Sequence, residues 1–101
     1  MTNRGLRRSQ KQEKNLANKY DGKVNPGSGN GWIHKNDIRS EVFSFEAKTT
    51  EKSQYPLKLA ELQLAERHAL LSGREMVFVI EMGGRNWMVV SQETFDTILE
   101  T

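Results

Sequence analysis

Glu46-Ala47-Lys48 sets a carboxylate and an ammonium two residues apart inside a run, residues 41–49, that reads as a strand. Successive strand side chains point to opposite faces, so Glu46 and Lys48 share one face while Ala47 joins Phe43 and Phe45 on the other. Asp37 lies nine residues before Glu46. A chain reversal near residues 39–41 brings Asp37 alongside Glu46 across an antiparallel pair. Two carboxylates that close repel each other unless a cation lies between them, and magnesium takes such oxygen ligands while keeping several waters. Lys48 then stands beside the ion, where it can orient or deprotonate a water or offset charge on a pentavalent phosphate. The plainer reading is an exposed strand face with Asp37 in a turn. Glu-x-Lys alone is common enough to favour that reading.

The elements that must position these residues can be read from pattern. Ser9 followed by Gln12 fits a capping box, and residues 9–20 read as a helix with Glu13, Leu16, Ala17 and Tyr20 on one side. Asp21-Gly22 ends it, and residues 1–6 are expected to be flexible. The stretch 25–31, Asn-Pro-Gly-Ser-Gly-Asn-Gly, is a loop. Residues 32–34 are a short strand candidate, and residues 37–40 a turn or strand end. Pro56 suits the first turn of a second helix, with Leu59, Leu62, Ala65, Ala69 and Leu70 as its core stripe and Gly73 just past its end. The apolar run 76–80 reads as a central strand, Gly83-Gly84 as a hairpin turn, and residues 87–90 as the returning strand. Ser91 caps a last helix with Phe95, Ile98 and Leu99 on one face. The expectation is one α/β (α+β) domain over residues 1–101, a mixed central sheet flanked by helices in the order αββαββα.

Composition narrows the class. A chain of 101 residues has room for one small domain. Its longest apolar run, residues 76–80, falls far short of the roughly 20 residues a membrane span needs. There is no cysteine, hence no disulfide and no thiolate zinc site. No apolar stretch follows Arg7-Arg8, so no secretory signal is expected and the protein reads as cytoplasmic. Residues 1–48 carry ten Lys/Arg against five Asp/Glu, and residues 49–101 carry five against eight. A basic half suits a polyanion, although a solvated mixed-charge face explains it as simply. Arg4, Arg7, Arg8, Lys11 and Lys14 can neutralise phosphates along one edge of the first helix. Lys35 and Arg39 flank Asp37, and Thr49 and Lys52 follow the strand, within reach of a backbone. Gly27, Ser28 and Gly29 are either a flexible connector or a loop whose N–H groups meet a phosphate; no Gly-Lys-Ser/Thr follows to make a P-loop. His34 and His68 lack the spacing of a zinc helix.

The order of a helix Glu (Glu13), a Pro26-Gly27-Ser28-Gly29 loop, an isolated Asp37 and then Glu46-Ala47-Lys48 resembles the PD-(D/E)XK nuclease superfamily. It looks most like the archaeal-type Holliday junction resolvases and their phage-encoded relatives. Asn36 stands where the motif's name has Pro, but it is the Asp that a metal needs. The resemblance implies a restriction-endonuclease-like core. It implies magnesium, with manganese as a substitute, held by Asp37 and Glu46 with help from Glu13. Lys48 would serve the nucleophilic water, and Ser28 would lie near the scissile strand. It further implies hydrolysis leaving 5′-phosphate and 3′-hydroxyl ends, a four-way DNA junction as substrate, a homodimer and, if phage-encoded, action in the host cytoplasm. A related nuclease acting on flaps, nicks or replication intermediates shares all of this chemistry. A small basic DNA-binding protein with structural carboxylates is the non-enzymatic alternative.

Overall fold

In a computed structural model, residues 4–26 and 36–100 are described. They form α1 (Arg4–Lys19), β1 (Lys23–Val24), β2 (Ile38–Arg39), β3 (Phe43–Thr49), α2 (Leu59–Leu71), β4 (Glu75–Met82), β5 (Arg85–Val89) and α3 (Gln92–Leu99). The five strands make one mixed sheet in the order β1-β2-β3-β4-β5. Only β3 and β4 run parallel, and α2 is the crossover that joins them. The class is therefore α+β, as expected, but three strands precede α2 rather than two. The expected strand at 32–34 lies outside the described residues. The strands β1 and β2 contribute two residues each, too few for any alternation to be visible.

Each face of the sheet carries its own core. On one, Leu16 and Ala17 of α1 pack on Ile38, Phe45, Ala47, Val77 and Val79. On the other, Ala65 and Ala69 of α2 pack on Met76, Phe78 and Ile80. The central strand β4 is buried on both faces from Met76 to Ile80, as its continuous apolar run requires.

Several boundaries depart from expectation. Helix α1 starts at Arg4, five residues before the supposed Ser9 cap, so residues 4–6 are helical rather than flexible. Ser9 Oγ instead donates back to the Leu6 carbonyl inside the helix, and Gln12 is committed elsewhere. Asp21 closes α1 with φ 54°, a left-handed conformation that Asp tolerates, and the Gly22 N–H reaches the Ala17 carbonyl. Pro56 precedes α2 by three residues instead of opening it. In α2 only Ala65 and Ala69 are buried, with Leu62 half-buried; Leu59 and Leu70 are exposed, because the two alanines alone form the line of close approach to the sheet. The Gly83-Gly84 hairpin has both residues at positive φ, as a two-residue turn between twisted strands demands. Ser91 caps α3 as expected, accepting from the Thr94 N–H. Among the described residues no helix is long and apolar enough to cross a membrane.

Candidate active site

The site sits where β2 stops. Ile38 pairs with Phe45 and Arg39 with Ser44, so continuing the register by one residue sets Asp37 opposite Glu46. Because β2 is only two residues long, the Ala47 N–H has no strand partner on that side; the Asp37 carboxylate accepts it, Oδ2 at 2.9 Å. Ala47 itself turns into the α1-side core, as expected. Glu46 and Lys48 lie on the opposite face, beside Phe78 and Ile80 in the parallel register. Lys48 Nζ is 3.4 Å from Glu46 Oε2.

Burial pushes the Glu46 carboxyl up, the Asp37 charge and a hydrogen bond between the two carboxyls push it further, and Lys48 pulls it back. The balance lies at about 7. Glu13, half-buried on α1, is also raised, first by burial and then by the Asp37 charge. The expected acids and the lysine thus meet around Asp37. They do not form a closed cage: among the described residues no three His, Cys, Asp or Glu side chains are grouped to hold a metal ion. Glu13 reaches the site from α1, across the sheet from Glu46, and so does not complete a three-carboxylate set.

The other expected contacts divide. Gly27, Ser28, Gly29 and Lys35 lie outside the described residues. Arg7, Lys11 and Lys52 are exposed. Arg8 pairs with Glu51, and with Lys11, Thr50, Glu81 and the Gly83-Gly84 turn it lines an open cleft beyond the end of β3. Thr49 faces the α1 side, its hydroxyl donating to Glu81 Oε1 at 2.9 Å. The Arg39 guanidinium donates to Asn25 Oδ1.

Residues that sequence reasoning missed frame the site. Asn36 is buried, and its amide nitrogen donates to Ser44 Oγ and to the Ala65 carbonyl, both at 2.9 Å. Asn25 donates from its side chain to the Asn36 carbonyl at 2.6 Å and from its backbone to the Asp37 carbonyl at 2.8 Å. These bonds tie β2's entry to β3, α2 and β1, and Asp37 is the next residue along. Tyr55 stacks obliquely against Phe78, donates to Glu61 at 2.8 Å, and feels the Glu46 charge. Gln12, 1% exposed, donates to the Lys48 carbonyl at 2.9 Å.

Comparisons with protein-family models, curated proteins and solved structures found no match to this chain. The functional reading therefore rests on the site itself. What the site offers is two facing carboxylates in a partly desolvated corner, a lysine on the same face, and a third carboxylate nearby.

Proposed function

We propose that the chain is a magnesium-dependent endodeoxyribonuclease acting on branched DNA, four-way junctions foremost. The observation that carries this reading is the opposition of Asp37 and Glu46 across the end of β2, with Lys48 on Glu46's face. The donor set fits a hard cation. Burial first, and then the Asp37 charge, hold Glu46 partly protonated near neutrality, and a divalent ion would relieve the repulsion between the two carboxylates that the proton relieves. Asp37 and Glu46 would hold magnesium, with the Glu13 charge adding to the negative field around Asp37. A bound magnesium supplies an acidified water and charge neutralisation at the phosphate. Lys48 favours the charged form of Glu46 against burial and Asp37 and offers an N–H to the attacking water or to a phosphate oxygen. The Ala47 N–H holds one oxygen of the Asp37 carboxylate at the edge of β3. The basic N-terminal half supplies the attraction to DNA.

The test is incubation of the protein with labelled four-way, flap, nicked and linear DNAs, with magnesium and with chelator. Paired symmetrical nicks in the four-way DNA, lost with chelator, are expected. Cutting of flaps or nicks alone moves the substrate within the same chemistry. Binding without magnesium-dependent cutting of any DNA overturns the enzymatic reading in favour of a DNA-binding protein.

A further inference from the structure

We propose that Gln12 is a positioning residue that locks Lys48 and Glu13 into one frame, an inference that rests on the nuclease reading above. Gln12 lies inside α1 at 1% exposure, one turn before the buried Leu16 and directly before Glu13. Its amide nitrogen donates to the Lys48 carbonyl at 2.9 Å and to Asn86 Oδ1 at 3.3 Å, so one side chain spans α1, the end of β3 and the edge strand β5. Among the described residues its buried amide oxygen has no hydrogen-bond partner.

That last fact separates the alternatives. Packing alone does not call for an amide here: methionine has the same length and removes the unpaired amide oxygen, though it takes the donor away from the Lys48 carbonyl and Asn86. Burying an unpaired amide oxygen costs stability. The group that Gln12 provides and methionine cannot is the N–H on the Lys48 carbonyl. Holding that carbonyl fixes the peptide at which the Lys48 side chain departs. Because Glu13 follows on the same helix turn, the same bond fixes how far α1 brings Glu13 toward Asp37. The positions of Lys48 and Glu13 are thus coupled through a residue that touches neither substrate nor ion.

The experiment compares wild type with Gln12→Met and with Gln12→Asn, which keeps an amide but is too short for the Lys48 carbonyl. Each variant should lower kcat on the cleaved DNA by roughly 10- to 100-fold, the effect of misplacing a reacting group by about 1 Å, with KM held within about twofold. Hydrogen exchange over residues 46–52 should rise, and the thermal midpoint of Gln12→Met should stay near that of wild type, the loss of the unpaired oxygen offsetting the donor taken from the Lys48 carbonyl. Wild-type kcat and unchanged exchange in either variant overturn the inference. So does a loss of activity that merely follows a loss of folded protein by circular dichroism, or a Gln12→Met chain that does not fold, because either makes Gln12 structural. Failure of wild type to cut any DNA overturns the nuclease reading instead, and hydrogen exchange still tests whether Gln12 holds the end of β3.

Discussion

Glu46 is where opposing forces meet on one atom group: burial and Asp37 favour its proton, Lys48 favours its charge. Its carboxyl ionises near 4.5 in the unfolded chain and near 7 in the fold. Between those values the native state keeps a proton that the unfolded chain has lost, so metal-free stability falls as pH rises from about 4.5 to about 7 and then levels off. The full span corresponds to on the order of 3 kcal/mol. Glu46→Gln removes that slope. Thermal denaturation without metal should show wild type and variant alike near pH 4 and the variant more stable at pH 8. Added magnesium at pH 8 should raise the midpoint of wild type and leave the variant where it was. In cleavage assays Glu46→Gln and Asp37→Asn should both be inactive while still binding junction DNA in gel-shift titrations, since the basic contacts remain. Wild-type cutting by either variant removes that carboxylate from the site. Lys48→Ala should be inactive as well, because it strips the ammonium that lies 3.4 Å from Glu46 and drives that carboxyl further toward its neutral form.

At the scale of elements, the site depends on how closely the β1–β2 ribbon approaches the end of α1. Gly22 sits in that junction. A Cβ there would lie 2.6 Å from the Arg39 carbonyl oxygen, a backbone atom that cannot move without moving β2. Gly22→Ala should therefore destabilise the fold by roughly 1–3 kcal/mol in urea titrations, the usual cost of overpacking. It should also weaken magnesium binding, because β2's entry carries Asp37; an unchanged urea midpoint would show that the ribbon yields freely. The placement of these three side chains was largely legible in the sequence, because strand periodicity alone puts Glu46 with Lys48 and a single reversal puts Asp37 opposite. The turn at Gly83-Gly84, the cap at Ser91 and the buried run of β4 were legible for the same reason: each is a local rule with local residues. Gln12, Asn25 and Asn36 were not. Their partners lie 36 and 74 residues away for Gln12, 11 and 14 for Asn25 and up to 32 for Asn36, and no short-range pattern encodes such bonds. Ser9 misled because a capping box can be written inside a longer helix, and α1 begins a full turn earlier. Val42 misled in turn. It looks like the start of a strand, but Glu41 and Val42 form the turn between β2 and β3, closed by the Ser40 N–H on the Phe43 carbonyl at 2.8 Å.

Over the whole molecule, charge is unevenly divided along the sequence, although in space Arg8 pairs with Glu51 across that division. The basic residues concentrate in the first half of the chain and the acidic ones in the second, so DNA binding should draw on α1 and its surroundings and should weaken steeply with salt. A flat response of binding to salt in fluorescence titrations would argue against that face. Helix α3 shows the opposite character. Phe95, Ile98 and Leu99 are 51%, 40% and 66% exposed, one turn apart on a single stripe, while the buried Thr94 ties the helix to the sheet through Glu75 at 2.9 Å. Beside it β5 is an edge strand with Trp87 and Met88 roughly half exposed. Cutting a four-way junction in matched strands needs two active sites, and a two-fold dimer supplies them most simply. A small sheet with one apolar helix left uncovered has stability to gain from such an interface. Sedimentation velocity should therefore find a dimer at micromolar concentration, and Phe95→Glu with Leu99→Lys should yield a folded monomer. That monomer should still nick a single strand in a flap or nicked duplex but lose the paired cuts in a four-way junction. If wild type sediments as a monomer at every concentration and still makes paired cuts, the two sites do not come from a stable dimer. The uncovered stripe of α3 then has no part in the symmetry of cutting.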